Sequence, residues 1–228
     1  MEKRWWTSYF KPFWSLFLKS SCYLCQRTAQ GEFCQYCQKQ IWQCQFANKS
    51  QFWQGEMPIF VWGQYQGALK RAITAFKYDN NPEIAKPLGH WLAQAWLNYP
   101  ELAIDKLTVV PIPLHAAKLK KRGFNQAELL AENFCELTGL PLQRQGLERV
   151  KDTKPLFDLS RKQRQDEMKE ALILGKGFRR RHPSNGVLLV DDIYTSGTTV
   201  KSAIEVLKRE GIRVYGVVAI ATTKIVNG

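Results

Sequence analysis

Residues 186–199 read GVLLVDDIYTSGTT, and few local sequences leave a backbone so little choice. Val187 to Val190 are apolar, the run expected of a short strand buried on both faces. Two adjacent acids, Asp191 and Asp192, break that run. Small hydroxyl residues then surround one glycine: Thr195, Ser196, Gly197, Thr198 and Thr199. From there the period changes, with Val200, Ala203, Ile204 and Leu207 at helical spacing and Gly211 as a stop signal. Strand, small loop and helix start together make an anion site. Free backbone N–H groups and the positive end of the helix dipole face the loop. The hydroxyls add donors for phosphate oxygens. The acids can accept hydrogen bonds from sugar hydroxyls and help to hold a divalent metal. The loop lacks the Lys of a Walker A motif and is not a GxGxxG turn. An ordinary Asp-rich turn between strand and helix is the plainer alternative.

The rest of the chain has to supply a sheet for that strand. With 228 residues, 45% of them hydrophobic, it is long enough for one large domain, or for a medium domain with a small appendage. We expect the second arrangement, a cysteine module within residues 1–50 and a main domain over 51–228. Lys and Arg number 33 against 20 Asp and Glu, a net charge of +13, which favours polyanions such as nucleic acid, nucleotides or anionic lipid. No run of 18 apolar residues suggests a membrane span. The basic, aromatic start is interrupted by Lys11 and Pro12 and lacks a small-residue cleavage site before Cys22, so a cytoplasmic protein is expected. Trp6, Phe10, Phe13 and Phe17 fall on one side of a short helix. They are expected to pack on the protein, with a membrane surface or a partner as the alternative.

Cys22-x-x-Cys25 is followed by Cys34-x-x-Cys37. Paired CxxC knuckles let four thiolates reach one tetrahedral ion, and Gly31 supplies a turn between them. An all-sulfur set in a reducing compartment favours structural zinc, disulfides being the competing reading. Cys44 is a possible substitute ligand, and Cys135 a core residue.

Residues 45–58 read as a linker. A strand is expected from Ile59 to Tyr65, then a helix burying Ala68, Leu69, Ala72, Ile73 and Phe76, with Lys77 just beyond. A second helix carries Ile84, Leu88, Trp91, Leu92 and Ala95. A strand from Leu107 to Val110 stops at Pro111-Ile112-Pro113, a rigid turn at the sheet edge where open α/β proteins bind ligands. A basic loop, Lys118-Leu-Lys120-Lys121-Arg122-Gly-Phe-Asn125-Gln126, then feeds a helix capped by Asn125, with Glu128 completing a capping box. It is a second anion site, or else a solvated surface. Ser160 is expected to cap a polar helix reaching Leu172. Arg179-Arg180-Arg181 is a second basic cluster, able to meet nucleic-acid phosphates or simply solvated. A final apolar strand spans Ile212 to Ile220. Alternating strands and helices argue for a mostly parallel α/β sheet.

Taken together, the CxxC knuckles, Phe76-Lys77, Pro111-Ile-Pro113-Leu114-His115, Arg122-Gly-Phe-Asn-Gln126 and the opening loop resemble the ComF family, which includes the GntX proteins. The resemblance runs from Cys22 to about Ala221. Two positions differ from the family pattern: Leu156 stands in place of a Gln, and Arg164 is followed by Glu167 in place of an Asn. The resemblance implies a type I phosphoribosyltransferase-like sheet flanked by helices, behind a small N-terminal zinc-binding module. It implies that Asp191 and Asp192 hold the ribose hydroxyls of a ligand such as 5-phosphoribosyl pyrophosphate (PRPP), with Mg²⁺ nearby. Thr195 to Thr199 would bind its 5′-phosphate. The Pro111–Pro113 turn, with Lys77, Arg122 and Asn125, would lie near the pyrophosphate. It also implies a role in natural transformation, handling incoming single-stranded DNA in the cytoplasm beside a helicase-like partner. Lys118, Lys120, Lys121, Arg122 and Arg179 to Arg181 are the candidate DNA contacts. The alternative is an active Mg-dependent phosphoribosyltransferase.

Overall fold

The computed structural model describes residues 20–55, 57–102, 106–150, 171–179 and 182–224. The aromatic start, Leu156, Ser160, Arg164, Glu167, Arg180 and Arg181 lie outside the described residues.

Two short strands, β1 (Ser20–Ser21) and β2 (Thr28–Ala29), pair antiparallel and lead into helix α1 (Gln35–Trp42). The main sheet begins with β3 (Ile59–Gln64), followed by α2 (Gly67–Tyr78) and α3 (Ala85–Leu97). Then come β4 (Thr108–Pro111), α4 (Ala116–Arg122) and α5 (Gln126–Thr138). An antiparallel pair, β5 (Leu147–Arg149) and β6 (Leu172–Leu174), precedes the short α6 (Lys176–Arg179). The chain returns to the sheet through β7 (Val187–Tyr194), α7 (Thr198–Arg209) and β8 (Val214–Thr222).

The four long-range strands lie in the order β3-β8-β7-β4, all parallel. Side chains alternate across the sheet, as the pleat requires. Phe60, Trp62, Leu188, Val190, Val218 and Ile220 pack on one face with α2, α3 and α5. Ile59, Val61, Val187, Leu189, Val217 and Ala219 pack on the other face with α7, β5, β6 and α6. The helices that follow the neighbouring strands β4 and β7 therefore cover opposite faces. That divergence opens a crevice beyond the strands' carboxyl ends. Among the described residues no helix is long and apolar enough to cross a membrane.

Four local expectations change. The first strand of the opening motif runs on to Tyr194, because Asp191, Ile193 and Tyr194 keep their register with β8. The acids thus sit within the last turns of the pleat, ahead of the strand's end at Tyr194. The basic loop is mostly the helix α4, started by His115, whose ring accepts from the Ala117 N–H, and ended by Gly123 at φ 83°. Glu128 turns to Arg144, 3.5 Å away, where a capping box was expected. Leu172 belongs to β6 and not to a helix end.

The described residues of 45–58 are tied down and do not hang as a linker. Gln45 bridges Gly63 and Phe52 bridges Ile59, both antiparallel along the outer edge of β3. A free sheet edge offers unpaired N–H and C=O groups, and this segment covers them. The approach is close: a Cβ on Gly63 would stand 2.5 Å from the Cys44 carbonyl oxygen.

Candidate functional sites

At the carboxyl ends of β4 and β7 lies a cavity of about 130 Å³. It gathers Asp191 and Asp192 from β7, Lys77 from the last turn of α2, and Arg122 from the end of α4. Thr199 enters from the first turn of α7, Pro113 and Leu114 from the turn after β4, and Arg149 from the end of β5. Residues spread over more than a hundred positions of sequence thus meet around one small space.

Its electrostatics are tightly set. Lys77 Nζ lies 2.6 Å from Asp192 Oδ2, with side chains only 16% and 13% exposed. Burial pulls the Lys77 pKa down, but the contact with Asp192 and the charge of Asp191 outweigh it and leave the ammonium firmly protonated. Asp191 Oδ1 accepts a 2.8 Å hydrogen bond from the Asp192 backbone N–H. Burial, and then the charge of Asp192, push the Asp191 carboxyl up to about 7 against the pull of Lys77 and Arg149.

The walls are braced by the Asn125–Gln126 corner. Asn125 Oδ1 accepts from the Ala127 N–H at 3.2 Å, and its Nδ2 donates to the Ile112 carbonyl at 3.0 Å. One side chain therefore caps α5 and pins the proline turn to it. Arg122 donates to Gln126 Oε1 at 2.6 Å and lies over the Tyr78 ring. Gln126 is 2% exposed, lines the cavity, and its Nε2 has no hydrogen-bond partner among the described residues.

The hydroxyl loop closes one side. Gly197 adopts φ 73° directly before α7, and Ser196 Oγ lies 2.9 Å from Thr198 Oγ1. Thr195 and Ser196 are exposed and Thr198 is half-buried, around the start of a twelve-residue helix. Pro111 is buried at the end of β4, one step behind the lining residues. Lys120 and Lys121 are exposed on α4, Lys118 is half-buried there, and Arg179 is exposed on α6. None of these four lines the cavity.

Sequence reasoning passed over Arg149 and Gln126. Arg149 ends a three-residue strand with no periodic signal. Gln126 stood inside the basic motif, but nothing in its neighbours marked it as buried.

The four knuckle cysteines form the second site. Their Sγ atoms all lie within 4.8 Å of one another, and Cys25 and Cys34 are 3.5 Å apart. Four sulfurs about 2.3 Å from one tetrahedral ion stand roughly 3.8 Å apart, so the donor set fits a metal. None of the four is in a disulfide. Burial would raise the Cys22 pKa, yet backbone N–H groups of Cys34, Leu24 and Cys25 outweigh it and bring the thiol to about 7. Burial raises that of Cys37. Cys44 stands apart, its Sγ 3.5 Å from the Gln40 and Gln66 carbonyls, and is not a fifth ligand candidate. Cys135 is half-buried on α5, its thiol pushed up to about 12 by burial.

A parallel α/β sheet with a charged crevice at its carboxyl edge, and before it a four-cysteine cluster that could hold a metal, defines the class of protein. No family model matches the chain. Competence protein F of Haemophilus influenzae is 30% identical over 156 residues, 68% of each chain. The DNA utilization protein YhgH of Salmonella typhimurium is 30% identical over 151 residues, 64% of each chain. Competence protein ComFC of Bacillus subtilis is 28% identical over 148 residues, 64% of this chain and 56% of that one. The chain belongs to the ComF family.

Proposed function

We propose that this protein acts in DNA uptake by natural transformation, handling single-stranded DNA in the cytoplasm, and that it binds a phosphoribosyl ligand of the PRPP type in its crevice. The observation that carries the ligand reading is the cavity itself. Two acids, three cations and a helix-start hydroxyl converge on it from five elements. Asp191 and Asp192 accept hydrogen bonds from ribose hydroxyls. The loop from Thr195 to Thr199 gives hydroxyl and backbone N–H donors to a 5′-phosphate. Lys77, Arg122 and Arg149 face the pyrophosphate charge. A magnesium ion, held by the same two acids, would neutralise part of that charge. The DNA reading rests on the names of the relatives, on the net charge of +13, and on the exposed Lys120, Lys121 and Arg179. A helicase-like protein is the expected partner. Zinc is the proposed occupant of the cysteine cluster.

Thermal denaturation with and without PRPP and Mg²⁺ tests the ligand reading. A rise in melting temperature is expected for the natural chain, and none for the variant carrying Asp191→Asn and Asp192→Asn. An unchanged melting temperature at saturating PRPP sinks it. Release of pyrophosphate during the incubation distinguishes a catalyst from a binder.

A further inference from the structure

A second cavity, of about 460 Å³, shares no lining residue with the first. It lies between α1, α3 and residues 45–49, where Trp42, Trp91, Tyr99, Gln94, Asn98 and Lys49 line it. Helix α3 and its cap supply Trp91, Gln94 and Asn98 from one face, spaced i, i+3 and i+7. Trp91 is fixed by stacking on Trp62, with centroids 5.9 Å apart at 21°. Trp42 meets Trp91 edge-on at 5.9 Å and 72° and remains 44% exposed. A large indole left that open on an ordered helix end is a surface in want of a flat partner.

The polar groups narrow the choice. Gln94 and Asn98 are exposed carboxamides, each able to donate and accept at one end. That pairing of donor and acceptor matches the edge of an unpaired base. Lys49 is the charged residue in the lining, and no Asp or Glu is among the described residues there. The cavity's size is that of small-ligand sites in general. A lipid tail would leave the carboxamides unused, and an acidic peptide would leave the indoles unused.

The geometry points to a subsite for one unstacked base of single-stranded DNA. The base stacks on Trp42, its edge meets Gln94 and Asn98, and the strand's backbone passes near Lys49. This inference rests on the DNA part of the proposed function and not on the phosphoribosyl part. The loop-site ligand can therefore fail without touching it.

The test uses the full chain and fluorescence anisotropy with an oligothymidylate of about 15 nucleotides, beside an abasic oligomer of equal length. Trp42→Ala is expected to weaken oligothymidylate binding roughly tenfold, the range of one lost base stack, with the melting temperature unchanged. Trp42→Phe is expected to restore most of it, because a smaller ring still stacks. The abasic oligomer should bind the natural chain and Trp42→Ala alike. If the natural chain binds no oligothymidylate, the DNA reading falls and this subsite with it. Binding by the natural chain that Trp42→Ala leaves untouched keeps the DNA reading and removes the subsite. Equal losses for the thymidylate and abasic oligomers also overturn it, since the effect is then on the backbone or the fold.

Discussion

Lys77 and Asp192 make the closest charge contact in the crevice, and each is mostly shielded from water. Removing one partner strands the other. Lys77→Met is expected to lower stability by about 3 kcal/mol at neutral pH, read from urea unfolding, and to abolish the PRPP-induced thermal shift. Asp191 gives a different signature. Its carboxyl titrates at about 7 in the folded chain and near 4 when unfolded. Between those values the folded state holds the extra proton, so stability falls as pH rises through that window. Asp191→Asn is expected to flatten that fall when melting temperature is followed against pH without added divalent cation. The variant should match the natural chain near pH 4 and exceed it near pH 8. Both acids, Lys77 and Arg122 were visible in the sequence because each sits in a motif with its own chemistry. Arg149 and Gln126 were not, since their place in the site depends on how β5 and the α4–α5 corner pack.

Among elements, the join between β7 and α7 carries the tightest backbone demand. Gly197 has φ 73°, and a Cβ there would stand 2.3 Å from the Tyr194 hydroxyl. Tyr194 is buried, so that ring has little room to yield. Gly197→Ala is expected to cost about 1–2 kcal/mol in chemical denaturation, from a left-handed backbone and the displaced ring. It should also reduce any thermal shift that PRPP produces. Helices α2, α5 and α7 were legible because their apolar faces repeat at helical spacing, and α5 is also capped by Asn125 and Gly139. Helix α4 was not, because seven residues rich in lysine bury no apolar face. The end of β7 was missed for a related reason. Two acids read as a strand breaker, yet sheet pairing to β8 overrides that local preference.

Across the whole molecule, charge and metal are the two levers an experiment can reach. Affinity for single-stranded DNA is expected to fall steeply with salt, and Ala at Lys120, Lys121 and Arg122 should reduce the slope of log affinity against log salt. Metal analysis of the purified chain is expected to give one zinc per chain, lost in Cys34→Ser together with a lower melting temperature. The parallel sheet followed from the alternation of strands and helices, and the ligand edge from the proline turn after β4, whereas the strand order did not. The covering of β3 by residues 45–58 did not. That segment has no periodicity of its own, and only the neighbouring edge gives it a shape.

Helix α1 begins at one site and ends at the other. Cys34 caps its start, Cys37 lies in its first turn, and Trp42 is its last residue. Eight residues of helix separate Cys34 from Trp42, a rod of about 12 Å. Whatever grips the sulfurs therefore sets the pitch and reach of the indole at the far end. A chelator that strips the cluster should slacken the rod at its root. Trp42 emission should then shift, and oligothymidylate affinity should drop, while any thermal shift with PRPP, which reads the carboxyl ends of β4 and β7, is expected to stay unchanged. Metal supply would in that way become a dial on strand capture.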